Sequence, residues 1–212
     1  MLQLLRRGLL AILIRPIARL LIGMHTTGAQ NLPRTGPAII AANHNSHIDT
    51  LVLLCLFPTK TLDILRPVAA ADHFLSNPVS SWFSRNIVGI IPLKRKPVHG
   101  EDILSEAKSA LDRGEILIVF PEGTRGKPEE MAPFKAGIAR LGEHCSHAPI
   151  IPVYIQGAGR ALPRGEKLFV PMNVSAWVGE AIKWHDDRLV FMEELKGAVL
   201  ALKAQAPPLH WD

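Results

Sequence analysis

The stretch PAIIAANHNSHIDTLVLLCLF, residues 37–57, decides the fold. It opens on an apolar run, crosses the polar string NHNSHID at 43–49, and enters a second apolar segment that Pro58 closes. PAIIAAN (37–43) reads as a strand buried on both faces, because it is apolar without alternation. HIDTLVLLCLF (47–57) reads as a helix start and body. Strand, polar turn and helix in that order form the repeating unit of an α/β domain.

The alternation continues outward. RPVAAA (66–71) predicts a strand, NPVSSWFSRN (77–86) a short helix, and VGIIPL (88–93) a strand. EDILSEAKSALDRG (101–114) is amphipathic and stops at Gly114, and EILIVF (115–120) is a continuous apolar strand. KAGIARLGEHC (135–145) predicts a helix, PIIPVYI (149–155) a strand, LFVPMNVSAWVGE (168–180) one or two strands, and 187–205 a closing helix. The expected fold class is α/β, a single domain over 25–212 with a mostly buried mixed sheet flanked by helices. No repeat or linker divides that span. Polar sites in such sheets gather beyond the carboxyl ends of the strands. If the strands 37–43 and 115–120 are parallel, Asn43-His44 and the segment 121–125 meet on one rim.

The chain has 212 residues, 48% of them hydrophobic, and a net charge of +5. It holds no uninterrupted apolar stretch of about 18 residues, the length an ordinary membrane span needs. Cys55 and Cys145 stand in no metal-like spacing, which predicts reduced thiols and a cytosolic catalytic domain. Five arginines (Arg6, Arg7, Arg15, Arg19 and Arg34) precede the first acidic residue, Asp49, leaving 19 basic against 19 acidic residues in the remainder. A nucleic-acid groove would spread its basic excess over the folded body. Here the excess sits among leucines at the start, which argues for a membrane surface and against nucleic acid.

Residues 1–24 therefore predict an amphipathic membrane-association segment. At 100° per residue Arg7, Arg15 and Arg19 share one side of a helix, with Leu2, Leu9, Leu13, Ile17 and Leu20 opposite. As a span of roughly 30 Å it would carry Arg15 near the midplane, at a cost of about 2.5–3.5 kcal/mol or more, and Pro16 would kink it. Lying in the interface avoids that cost. A signal peptide fits less well, because arginines interrupt the apolar core and no small-residue cleavage site is clear. Packing on the protein's own core is the remaining alternative.

NHNSHID admits three readings. Ser46-x-x-Asp49 ahead of an apolar run matches a capping box, with His44 a plain loop residue. His44, His47 and Asp49 form a candidate metal set, although no third ligand cluster follows. His44 with Asp49 forms a candidate acid–base pair: imidazole is the natural base near neutral pH, and a carboxylate on its far nitrogen fixes the tautomer. No G-x-S-x-G elbow and no suitable cysteine supplies a nucleophile. On that reading the substrate brings the attacking group and the electrophile arrives activated.

FPEGTR, 120–125, reads either as a surface turn or as a phosphate cradle made by Arg125 beside Gly-Thr backbone N–H groups. Lys94-Arg95-Lys96 adds a second basic group. Together these segments resemble the glycerolipid (lysophospholipid) acyltransferases of the 1-acylglycerol-3-phosphate O-acyltransferase type. NHNSHID matches that family's N-H-x-x-x-x-D signature and FPEGTR its F-P-E-G-T-R block. GIIPLKR (89–95) resembles the G-x-x-x-x-x-R block, and Ile151-Pro152-Val153 the final proline-centred one. The four blocks fall in order over roughly residues 25–185. The chain departs from the pattern at Pro92, where phenylalanine is usual, at Gly126, where serine often stands, and at the extra His47.

The resemblance implies transfer of a fatty acyl group from a thioester, on coenzyme A or acyl carrier protein, to a lysophospholipid hydroxyl, with no cofactor and no metal. It implies His44 as general base oriented by Asp49. Glu122, Gly123, Thr124 and Arg125 would bind the acceptor, with Arg125 and Arg95 on its phosphate. Asn43 and Thr124 would help position it, and Lys135 would add positive charge. The expected location is the cytoplasmic face of a membrane.

Overall fold

The computed structural model of the chain describes residues 2–46, 48–71, 77–93, 101–126, 130–162, 170 and 172–208. Its centre is a seven-stranded sheet. The strands are β1 (Met24–Thr27), β2 (Ala38–Ala42), β3 (Leu65–Ala70), β4 (Ile91–Leu93), β5 (Ile116–Val119), β6 (Ile150–Gln156) and β7 (Val174–Val178), in the order β1-β7-β6-β2-β5-β3-β4. β2 is central and parallel to both neighbours, with Ala41 opposite Val119 on β5 and Pro152 on β6. β7 runs antiparallel to β6 and carries β1 parallel at the edge, so the sheet is mixed, as expected.

The unbroken apolar run of β2 has a physical reason: helices cover both faces. Ala38, Ile40 and Ala42 pack with Val52, Leu53 and Leu54 of α3 (Asp49–Leu56) on one side. Ile39 and Ala41 pack on the other, with α5 (Ser105–Asp112), α6 (Gly137–His144) and α8 (Arg188–Gln205). All five β2 residues are buried. Parallel strands on either side of β2 send their carboxyl ends to one rim, which brings residue 43 beside residue 121.

Most expected elements are present, with differences at their ends. The strand expected over 88–93 is only Ile91–Leu93. α4 (Pro78–Phe83), capped by Asn77, continues as a π-helical turn over Ser84–Val88 that closes on Gly89. One strand rather than two is described in 168–180. β1, the 3₁₀ turn Thr59–Ile64 and α7 (Ala158–Ala161) had no sequence signal strong enough to be read. Met24 already belongs to β1, so the sheet begins inside the segment assigned to the membrane.

The N-terminal segment is helical from α1 (Leu2–Gly8) through a π-helical stretch, Leu9–Ile14, to α2 (Arg15–Leu21). Its arginines divide: Arg19 is exposed and Arg7 partly so, whereas Arg6 and Arg15 are buried, unlike those of a simple interfacial helix. Arg6 is 5% exposed and donates to the carbonyls of Ile87, Asp63, Leu65 and Val88. Gly89 makes this possible: with φ of 80° it carries no Cβ, and one there would lie 2.5 Å from Arg6 Nη2. Arg15 and Arg19 cap the far end of α3, Arg15 on the carbonyls of Cys55 and Phe57 and Arg19 on that of Cys55. These carbonyls end a helix and lack intrahelical donors, so cations are favoured there. Leu10, Ala18 and Ile22 join the core beside α3. The apolar side meanwhile points outward: Leu4, Leu5, Ile12, Leu13, Ile17 and Leu20 are all about half exposed or more. Packing on the body and a free apolar face are thus both true of one helix, on opposite sides.

Candidate active site

β2 ends where Asn43 takes over its hydrogen bonding. The Asn43 side chain donates to Ile155 O at 2.9 Å and accepts from Ile155 N at 2.7 Å, continuing the ladder to β6 by one more rung. The chain then leaves the sheet and turns into α3. Asp49, in the first turn of α3, reaches back over that turn. Its Oδ2 accepts from Asn45 N at 2.7 Å, from Ser46 N at 2.8 Å and from His44 Nδ1 at 2.8 Å. Its Oδ1 is buried with no hydrogen-bond partner among the described residues.

The capping and acid–base readings of NHNSHID are therefore one arrangement. Asp49 makes one half of a capping box by accepting from Ser46 N, while Ser46 Oγ accepts from Ile48 N at 3.3 Å rather than from Asp49 N. The same carboxylate oxygen holds the imidazole. A carboxylate only accepts, so the ring proton sits on Nδ1 and Nε2 is the acceptor nitrogen. Phe120 fixes the plane of the ring, with centroids 4.0 Å apart and 17° between planes. His44 keeps 19% of its side chain exposed against 1% for Asp49, the pattern of an accessible group on a buried support.

The FPEGTR segment meets this pair on the rim of β5. Glu122 Oε1 accepts from His44 N and Oε2 from Ala132 N, both at 2.8 Å. Gly126 N donates to His44 O at 2.9 Å. Residues 44 and 126 are thus tied backbone to backbone, and Arg125, half-buried, sits one residue from the tie. Gly123 takes φ of 69° at the exposed tip, and a Cβ there would lie 2.8 Å from Lys135 Nζ, so the Lys135 side chain lies across it. Thr124 is exposed beside it. Burial pushes the Glu122 carboxyl above its ordinary range, opposed by the N–H groups of Ala132 and His44.

Of the expected site residues, His44, Asp49, Glu122, Gly123, Thr124 and Arg125 come together on one rim. Arg95 lies outside the described residues, as does His47. Glu122 was expected on the acceptor, but both its oxygens are engaged by backbone amides and it is 1% exposed. Its position is that of a brace between the two strand ends. Among the described residues no group of three or more His, Cys, Asp or Glu could hold a metal ion. Phe120, stacked on His44, carries little sequence signal of that role: it is an aromatic closing an apolar strand one step before a turn.

The same architecture occurs in a solved structure, the 1-acyl-sn-glycerophosphate acyltransferase PlsC from Thermotoga maritima. It aligns with a TM-score of 0.77 over 98% of this chain and 83% of that one, at 21% identity, which is a likeness of fold. A chloroplastic 1-acyl-sn-glycerol-3-phosphate acyltransferase of Brassica napus is 29% identical over 142 residues, 66% of this chain and 39% of that protein. A 1-acyl-sn-glycerol-3-phosphate acyltransferase alpha of Mus musculus is 28% identical over 150 residues, 70% of this chain and 50% of that protein. The chain spans half or less of the length of these two relatives. The sequence model of the acyltransferase family matches residues 23–156, well over half of the chain, and by that match the protein belongs to the acyltransferase family.

Proposed function

We propose that the protein moves a fatty acyl group from an acyl thioester to the hydroxyl of a lysophospholipid, 1-acylglycerol-3-phosphate foremost, to give phosphatidate. The observation that carries this reading is the His44 Nδ1–Asp49 Oδ2 contact of 2.8 Å at the edge of the sheet, beside the FPEGTR turn. His44 Nε2 takes the proton as the hydroxyl attacks the thioester carbonyl, and Asp49 stabilises the imidazolium that forms. The tetrahedral intermediate collapses by breaking the C–S bond, and the imidazolium returns the proton to the leaving thiolate. No enzyme-bound acyl group is needed, because a thioester is already activated toward an alcohol. Arg125 and Arg95 hold the acceptor phosphate, Gly123 and Thr124 offer it backbone and hydroxyl donors, and Glu122 holds the turn against His44.

The exposed leucine and isoleucine face of α1–α2 lies in the membrane interface at the cytoplasmic face, where the acceptor and the thioester donor meet. No helix of the described residues is long and apolar enough to cross a membrane. The test supplies labelled acyl-coenzyme A and acyl–acyl carrier protein in turn, with a panel of lyso-acceptors, and identifies the lipid product. Phosphatidate from 1-acylglycerol-3-phosphate is expected. No product with any acceptor contradicts the reading.

A further inference from the structure

A cleft of about 410 Å³ opens where α2 meets the end of α3, lined by Arg15, Pro16, Arg19, Phe57, Pro58 and Thr59 among others. Its lining carries two guanidinium groups and no carboxylate. Arg15 is 7% exposed, and the partners of its Nη atoms are neutral: the carbonyls of Cys55 and Phe57 and the hydroxyl of Thr59. Its Nε is buried with no hydrogen-bond partner among the described residues. Arg19 is exposed and reaches Cys55 O by one bond of 3.5 Å, leaving most of its five N–H donors for other acceptors. The end of α3 offers about half a negative charge, which two guanidinium groups exceed. A desolvated cation without an anion is costly, so the cleft is matched to one. Burial in particular holds the Arg15 guanidinium below its ordinary value.

The surroundings say what kind of anion. Ile12, Ile17 and Leu20, on the same helical segment, are 79%, 47% and 85% exposed. An anion whose body continues into apolar chains fits both features. We propose that this cleft binds the phosphate of an anionic phospholipid headgroup through Arg15, Arg19 and the Thr59 hydroxyl, with the lipid chains running along the exposed face of α2. This rests on the reading that the face lies in lipid. The site is separate from the acyl-transfer centre: Asp49 opens α3 and the cleft lies at its other end, about 12 Å along a helix of this length.

The full chain is mixed with phosphatidylcholine vesicles, and with vesicles containing phosphatidylglycerol, at physiological ionic strength, and the bound fraction is measured by flotation. Wild type binds both and prefers the anionic ones. Arg19→Gln lowers that preference by about five-fold, the size expected for one cation at an anionic surface. Thr59→Val, which changes no charge, lowers it as well. Lys196→Gln on α8, exposed and remote from the cleft, leaves it intact, and thermal midpoints confirm that all variants fold. Equal losses in Arg19→Gln and Lys196→Gln, or full preference in Thr59→Val, make the effect one of diffuse charge and overturn the site. Inorganic phosphate that abolishes the preference at constant ionic strength assigns the cleft to free phosphate and overturns the lipid assignment. A wild type that binds both vesicles equally overturns the cleft alone, whereas one that ignores neutral vesicles overturns the apolar-face reading beneath it.

Discussion

Asp49 performs two tasks with one oxygen. It closes the turn that starts α3 and it orients the ring of His44. Asp49→Asn should therefore lose both: activity falls by on the order of 10²–10⁴, the range for general-base catalysis. Stability falls too, by about 1–3 kcal/mol, because a neutral amide oxygen accepts these three bonds more weakly and its NH₂ replaces Oδ1, which is buried with no partner among the described residues. Denaturant melts beside initial rates check this, and an Asp49→Asn protein with wild-type stability would contradict the shared role. Glu122→Gln tests the brace. One of the N–H groups of His44 and Ala132 then faces an amide NH₂, at about 1–3 kcal/mol. Burial raises the Glu122 carboxyl above its ordinary value of 4.5, so the native state holds that proton more tightly than the unfolded chain. Its contribution to stability is full below that value and is lost as pH rises through the folded value. The advantage of wild type over Glu122→Gln should narrow with rising pH in melts taken across the acid range. The pattern N-H-x-x-x-x-D was legible because a four-residue gap over a helix start brings the two side chains together by local geometry. The part played by Glu122 was not, because it depends on an amide 78 residues away.

Among the elements, the N-terminal helix separates what local pattern decides from what it leaves open. Its periodicity put Leu13, Ile17 and Leu20 on one side, and all three are exposed, but it put Arg19 with Arg15 although Arg19 is exposed and Arg15 buried. What periodicity could not give is which face docks, since arginine donors satisfy helix-end carbonyls as well as they meet water. The partners of Arg6 and Arg15 lie 40 to 82 residues away, beyond any window of local pattern. Truncation of residues 1–22 would consequently expose the carbonyls of Cys55 and Phe57 and part of the core, and it should destabilise the protein rather than cleanly release it from lipid. Point changes separate the two effects. Ile12→Gln, Ile17→Gln and Leu20→Gln together should abolish flotation with neutral vesicles while the thermal midpoint moves little, because exposed substitutions away from packing change stability by about 0.5 kcal/mol each or less. A triple variant that floats like wild type would remove the membrane role from this face.

At the scale of the whole molecule, the α/β class followed from apolar runs such as EILIVF and PIIPVYI spaced by helical patterns, since a strand covered on both faces has no polar alternation to show. β1, four residues of MHTT with alternate burial at the sheet's edge, lacked that signature. So did the strand order, which is set by packing between β2, β5 and β6 rather than by any one segment. That order is what makes a site: two parallel neighbours bring His44 and Gly126 within a backbone hydrogen bond although 82 residues separate them in sequence. α3 then links the rim to the N-terminal helix, with Asp49 at one end and Arg15 on the carbonyls at the other. The most direct test is the rate of phosphatidate formation from labelled acyl thioester and 1-acylglycerol-3-phosphate by wild type and His44→Ala, both shown folded by their melts. Turnover by wild type and a loss on the order of 10²–10⁴ in the variant are expected if His44 is the general base. A His44→Ala protein that forms phosphatidate at the wild-type rate would contradict that role.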